Sequence, residues 1–303
     1  MGFSITSNFK GDHAGQYISA ALKSAKTLDY LTVLENVKYK RNITKVVGST
    51  LVRNATCDFT DSGTLTMTEK VLEPKNLQIN VDLCKGDLLS DWQALQMTAG
   101  ANNSGMSNDF SAFVMSHLAE QIANSTETSC WTGAAANNGE FEGFLTGTTG
   151  MFALDTVTTG SVSGALTAAN IIANLQTAVD TIPANVYAKA NEDLYIFLNP
   201  KNYRFYISAI STLGYVNAYN MQGDYIPMFN GIKIAVVGGM NDNEIVVGEK
   251  GNMFFGTDLL SDSTSQISML DMSKLDGSDN LRVVCKYSAG VQTGVASDLT
   301  WIN

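Results

Sequence analysis

The chain has 303 residues, 45% hydrophobic and 16% charged, with a formal net charge of −10. Disordered chains are poor in apolar residues and rich in charge, so this composition excludes one, and the length is ample for a sizeable core. A net negative chain also lacks the basic footprint of a free nucleic-acid binder.

The charge is unevenly placed. Residues 1–45 hold seven Lys/Arg against three Asp/Glu, and residues 46–303 hold twelve against twenty-six. A basic head could lie across an acidic body, its own or a neighbour's, or be an ordinary solvated segment. Residues 1–16 carry no uninterrupted apolar stretch, so no secretory leader is expected, and Gly2 with Thr6 fits only the loose myristoylation spacing. Residues 14–36 place Tyr17, Ala21, Leu22, Leu28, Leu31 and Leu34 at helical spacing, which predicts a helix with a break near Thr27.

From Asn42 the period changes to two. Residues 43–61 are rich in Thr and Val, and Asp61-Ser62-Gly63 signals a turn. Leu65, Met67 and Glu69 then alternate with Thr64, Thr66 and Thr68, and Leu77, Ile79 and Val81 alternate with polar partners. The pattern predicts a long β-hairpin whose arms of about 15 residues would reach about 50 Å, more than a compact domain needs internally.

Ser107 or Asn108 can cap the clearest helix, with Phe110, Phe113, Val114, His117, Leu118, Gln121 and Ile122 in one stripe to about Ser129. Trp131-Thr132-Gly133 and the Ala/Asn/Gly run after it end that helix, and a strand pair is expected at 141–145 and 151–154. The Thr/Ser/Gly-rich residues 155–165 are the expected boundary. Beyond it Thr167 opens a helix carrying Ile171, Ile172, Leu175, Val179 and Ile182, closed by Pro183. Asp193–Leu198 reads as a buried strand, and Asn199-Pro200 starts a helix with Tyr203, Tyr206, Ile207 and Ile210. Strands follow at 232–237, 244–247, 253–256, 281–287 and 291–302. Helices and strands mix without βαβ repetition, so the class is α+β.

Signs of chemistry are few. There is no Walker loop, GxGxxG, HExxH or GxSxG. The two histidines are His13, in a polar stretch, and His117, which is either a packed helix residue or a ligand. Glu140 and Glu142 flank Phe141, so in a strand both face one side, as paired glycosidase carboxylates or as a plain polar face. Asp242-Asn243-Glu244 and Asp276-Gly277-Ser278-Asp279 are either cation-holding turns or plain ones, and neither has EF-hand spacing. Cys57, Cys84, Cys130 and Cys285 form no CxxC and read as reduced thiols. No catalytic residue, cofactor site or metal site is predicted, and the longest apolar runs are far short of the ~20 residues that span a bilayer.

The order of parts carries more. A basic arm, a long hairpin, a long helix ending in Glu127-Thr128-Ser129-Cys130-Trp131-Thr132-Gly133, an α/β lobe with Leu198-Asn199-Pro200-Lys201, and closing strands together resemble the Hong Kong 97-type major capsid proteins of tailed phages. Leu72-Glu73-Pro74-Lys75, Cys84-Lys85-Gly86-Asp87, Asp91-Trp92 and the Trp131 helix end look similar to the capsid proteins of crAss-like and related phages of Bacteroidetes hosts.

That resemblance implies an N-terminal arm at 1–42 and an extended E-loop at 43–81. It implies a peripheral domain at 82–165 with a spine helix at 107–129, rejoined by 281–292, and an axial domain at 166–280, rejoined by 293–303. Six axial lobes would meet at a hexamer centre and five at a vertex, in a shell enclosing double-stranded DNA without sequence-specific binding. Lys38, Lys40, Arg41, Lys45, Lys70 and Lys75 would lie at inter-subunit contacts, Lys70 and Lys75 without a local motif for the isopeptide crosslink of some members. The resemblance implies no enzymatic role and no cofactor. Expected partners are further copies of the chain, a separate scaffold (unless the chain is already processed), a portal and decoration proteins. The expected location is the virion, assembled in the bacterial host cytoplasm, with no membrane. Alternatives are an encapsulin-type nanocompartment shell and an acidic hydrolase using Glu140 and Glu142.

Overall fold

A computed structural model describes residues 26–37, 39–49, 51–55, 57–58, 63–84, 108–155, 157–162, 164–188, 192–213, 227–258, 268–272, 275, 277–278 and 280–303. The helix expected over 14–36 does not run to its end. Lys26–Tyr30 is one 3-10 segment, and β1 (Thr32–Leu34) is already strand. Two β-branched residues, Thr32 and Val33, stand where the helix would continue, and Thr27 and Leu31 are buried against the body instead. Residues 14–25 of that expectation lie outside the described residues.

β2 (Arg41–Ser49) and β3 (Thr64–Leu72) pair antiparallel from Arg41↔Leu72 to Ser49↔Thr64, as a ribbon that among the described residues joins no other sheet. Nine residues per arm reach about 30 Å, not the 50 Å of the sequence expectation. Glu73-Pro74 then turns the chain, and β4 (Lys75–Cys84) pairs over ten residues with β12 (Asn280–Thr293). Residues 75–81, assigned to the projecting loop from their alternation, therefore lie in a body sheet. Period-two alternation identifies a strand but not its partner.

α1 (Asn108–Thr132) is about 37 Å long and ends three residues beyond the expected Ser129. Ile122, with Leu118 and Ala119, packs on Val283 and Cys285 of β12 and on Ile79, Val81 and Leu83 of β4. Gln121 of the expected stripe is exposed. The strand pair expected at 141–154 is absent. Gly143, Phe144 and Leu145 donate their N–H groups to the carbonyls of Gly133, Cys130 and Trp131, and Met151–Leu154 is a helical turn. The end of an α-helix leaves carbonyls without intrahelical partners, and this segment satisfies them in place of a strand neighbour.

The α/β lobe is a six-stranded sheet in the order β5 (Thr158–Gly160), β13 (Thr300–Ile302), β9 (Ile245–Glu249), β6 (Leu194–Leu198), β8 (Ile232–Val236), β7 (Met228–Phe229). The stretch read as a boundary at 155–165 thus contributes an edge strand. Alternate residues of β6 enter different cores. Leu194, Ile196 and Leu198 pack with α2 (Ile171–Asp180) and α3 (Pro200–Thr212), whereas Tyr195 and Phe197 face the other side. The sheet is a septum, and only a strand buried on both faces needs so continuous an apolar run. Asn199 caps α3 by accepting from the Lys201 N–H at 2.8 Å, as its Asn-Pro spelling predicts.

The second sheet centres on β12, which runs unbroken through Ser288-Ala289-Gly290, where two separate strands were expected. β4 lies on one side of it. β11 (Ser268–Asp271) and β10 (Met253–Thr257) lie end to end on the other, and β1 adds parallel to β10. Between the sheets sits an aromatic core of Trp131, Phe144, Phe152 and Phe197, with Trp131 at 5.2 Å from Phe197 and 5.6 Å from Phe144 between centroids.

At the edge of this core Glu127 is fully buried. One carboxylate oxygen accepts from the Thr27 N–H at 3.0 Å, and the other accepts from the Thr27 hydroxyl at 2.7 Å and the Gly238 N–H at 2.9 Å. Trp131 Nε1–H donates to the same Thr27 hydroxyl at 2.8 Å. Burial pushes the adjacent Cys130 thiol well above its usual pKa, and the Glu127 charge adds to the effect. Thr27→Val keeps the shape but removes one charged hydrogen bond and strands the indole donor. It should cost about 2–4 kcal/mol, read as a lower urea midpoint, whereas Thr44→Val on the exposed ribbon should stay within about 0.5 kcal/mol.

Candidate functional site

Residues directly opposed in an antiparallel pair point to the same side, so the ribbon's register assigns its faces. One face carries the pairs Asn42↔Val71, Thr44↔Glu69, Val46↔Met67 and Gly48↔Leu65. Its apolar members are open to solvent: Val46 52%, Leu65 59%, Met67 66% and Val71 44%. Leu51 folds over Gly48, where a Cβ would come within 2.7 Å of Leu51 Cδ1. The other face holds half-buried Ile43, Lys45 and Lys70 and buried Leu72. An isolated two-stranded hairpin is marginal in water, and a contiguous exposed apolar face marks an interaction surface.

The root of the ribbon is fixed. Leu72 is wholly buried beside Gly256, where any Cβ would meet Leu72 Cδ2 at 2.6 Å. Lys70 Nζ lies 2.6 Å from Asp155 and donates to the Thr293 hydroxyl at 3.0 Å, and that hydroxyl also donates to Asp155. Gln292 donates to the Val71 carbonyl at 2.9 Å, and Lys40 pairs with Glu73 at 2.9 Å on the surface.

Lysines expected at subunit contacts are thus partly engaged at home. Lys70 clamps the root, Lys75 donates to carbonyls of the 134–142 loop, and Lys40 pairs with Glu73. Arg41 is exposed opposite Leu72, Lys45 is half-buried opposite Thr68, and Lys38 lies outside the described residues. The sequence marked neither Asp155 as the counter-ion of Lys70 nor Glu127 as a junction, because both partners come from far along the chain.

The enzyme-like candidates resolve into structural roles. Glu140 and Glu142 are not on a strand. Glu140 accepts from Ala134 N–H and Asn137 Nδ2, both at 3.0 Å, and Glu142 accepts from Ala135 N–H at 2.9 Å and from the Thr149 hydroxyl. In the acidic turn Asp242 pairs with Lys201 at 2.7 Å, Asn243 accepts from the Leu166 N–H, and Glu244 accepts from Asn241 Nδ2. His117 is half-buried on α1, while His13, Asp276 and Asp279 lie outside the described residues. Among the described residues no group of His, Cys, Asp and Glu is placed to hold a metal, and no helix is long and apolar enough to cross a membrane. Cys57 and Cys84 are exposed and Cys130 and Cys285 buried, all four as free thiols.

No protein-family model and no curated protein matches the chain. Solved structures do. The capsid of the cyanophage P-SCSP1u is similar over 100% of this chain and 94% of its own, at 14% identity and TM-score 0.58. The capsid of the Myoviridae phage XM1 is similar over 99% and 98%, at 10% identity and TM-score 0.58. A virus-like particle from Pyrococcus furiosus is similar over 91% of each chain, at 10% identity and TM-score 0.51. The chain has the Hong Kong 97-type phage capsid fold over nearly its whole length, and the class is α+β.

The loop carboxylate gives a pH signature. The Ala134 N–H, and then the Asn137 amide, hold the Glu140 carboxyl below its ordinary value of 4.5. A depressed folded-state value stabilises the fold above the ordinary value and loses that contribution as pH falls through the folded one. Glu140→Gln should therefore be less stable than wild type near neutrality and converge with it on acidification, in urea unfolding followed from pH 7 to pH 3, a range of about 4 units around the carboxylate values.

Proposed function

We propose that this chain is the major capsid protein of a tailed phage, joining copies of itself into the hexamers and pentamers of an icosahedral shell around double-stranded DNA. The observation that carries the reading is the ribbon Arg41–Leu72: clamped at its root by Lys70, Asp155 and Leu72, and carrying solvent-exposed Val46, Leu65, Met67 and Val71 on one face. The capsid fold supports the reading, since closed shells are built from one chain repeated through shared, symmetric contacts. In this assignment the arm runs to about residue 40, the E-loop is the ribbon 41–72, and the body divides into peripheral and axial parts as the sequence resemblance implies. The acidic body suits enclosure of DNA, because it would not adhere to phosphates.

A separate scaffold, a portal and decoration proteins complete the proposed set of partners, and the mature location is the virion. Neither alternative gains support from a specific feature of the chain. Glu140 and Glu142 are committed to their own loop, which argues against the hydrolase. Phage capsids are among the solved structures it resembles over nearly its whole length, which favours the capsid reading over a nanocompartment.

The ribbon face supplies the test. Val46→Thr, Leu65→Thr and Met67→Thr together keep strand propensity and remove three apolar groups, each worth about 1.5–3 kcal/mol when fully buried. The triple variant should stay folded and soluble with an almost unchanged melting temperature. On sucrose gradients and in negative-stain micrographs its particle yield should collapse. Wild-type yields from this variant would remove the ribbon from the assembly mechanism.

The basic segment makes a second, salt-dependent prediction. Exposed ion pairs are worth about 0–1 kcal/mol each, and at ~0.15 M salt screening acts over about 8 Å. Single Lys→Ala changes should therefore be tolerated. Replacing Lys38, Lys40, Arg41 and Lys45 together by Ala should lower particle yield most at low ionic strength and leave subunit melting nearly unchanged. Equal yields at every salt concentration would show that these charges are only solvated.

A further inference from the structure

Lys75 opens β4 directly after the Glu73-Pro74 corner, and its side chain crosses to the loop that follows α1. Its Nζ lies 2.8 Å from the Ala135 carbonyl, 2.8 Å from that of Glu140 and 3.3 Å from that of Asn137. An ammonium carries three N–H donors and no acceptor, so three converging carbonyls use its whole capacity.

The loop is braced independently of the lysine. Glu140 holds Ala134 N–H and Asn137 Nδ2, Glu142 holds Ala135 N–H, and Asn137 N–H donates to the Ala134 carbonyl. Gly139, at φ +85°, reverses the chain in a conformation that L side chains rarely adopt. The carbonyls are therefore aimed by the loop's own bonds, and the Glu140 carboxylate, which feels the Lys75 charge, adds a negative field. Backbone carbonyls arranged in this way replace the hydration shell of a large monovalent cation.

We propose that residues 134–142 form a monovalent-cation nest whose resident ligand is the chain's own Lys75 ammonium, and that with this side chain removed the nest takes up a free cation of ammonium's size, ammonium or potassium. Lys75 is then a positioning residue. It ties the first residue of β4, and with it the corner below the ribbon, to the end of α1, and its ammonium is withheld from acylation and from pairing with other subunits.

Two measurements on the full chain decide this. In trace acetylation of the wild type with limiting reagent, read by mass spectrometry, Lys75 should label about tenfold more slowly than exposed Lys26, the factor that one charged hydrogen bond is worth. In the Lys75→Met variant the melting temperature should fall and the amides of residues 134–142 should exchange faster. Ammonium or potassium chloride should restore both more than choline chloride at equal ionic strength, with potassium and ammonium compared to show which ion the nest prefers. Equal recovery with all three salts, or labelling of Lys75 as fast as Lys26, overturns the proposal. The acetylation arm needs no variant, so it decides even if Lys75→Met fails to fold.

Discussion

Removing a carboxylate from water costs several kcal/mol unless donors replace the lost hydration. Glu127 is the one charged side chain among the described residues that is fully buried, and its donors come from two other places in the sequence. Thr27 belongs to the N-terminal segment and Gly238 to the turn after β8, while Glu127 itself lies near the end of α1. The charge is tolerable only when all three parts are in place, so it ties their positions together. Trp131, one turn further along α1, adds its indole N–H to the same threonine and its ring to the central core. Gly239 is part of the same constraint, since a Cβ there would come within 2.0 Å of the Glu127 carbonyl oxygen.

With that junction fixed, the two sheets can share one aromatic core. The septum sheet gives alternate residues to the helices α2 and α3 and to the core it shares with the β12 sheet. β12 carries mechanical continuity in the other direction. Its first half holds β4 and the face on which α1 packs, and its second half reaches the root of the ribbon through Gln292 and Thr293. A partner's pull on the ribbon would therefore be transmitted to the body's central strand.

The ribbon shows the opposite economy. Its root is over-determined by an ion pair, a buried leucine and a hydrogen bond from the Gln292 side chain, while the apolar residues of its outward face stay about half exposed. A rigid base with an unsatisfied apolar face suits repeated association: the projection is held in position beforehand, so less conformational entropy is lost on contact. The lysines that flank the corner, Lys70 and Lys75, serve the subunit's interior geometry, whereas Arg41 is exposed and Lys45 half-buried near the base of the ribbon.

The sequence by itself determined the elements whose signals are local. The Asn199-Pro200 cap, the apolar run of β6, the long helix ending at Trp131-Thr132-Gly133 and the alternation of β3 all lie within a few residues of what they specify. It also carried the order of parts on which the capsid resemblance rests. The tertiary structure decided partnership. Only it shows that β4 leaves the hairpin for β12, that residues 141–145 cap a helix where they were read as a strand, that Glu140 and Glu142 brace a loop, and that Thr27 turns its N–H and hydroxyl to Glu127. The exposed face of the ribbon was half legible, since Leu65 and Met67 sit at strand spacing in the sequence. Which side of a strand meets the body depends on register and on contacts with residues as distant in sequence as Gln292 and Thr293, and no local pattern encodes those.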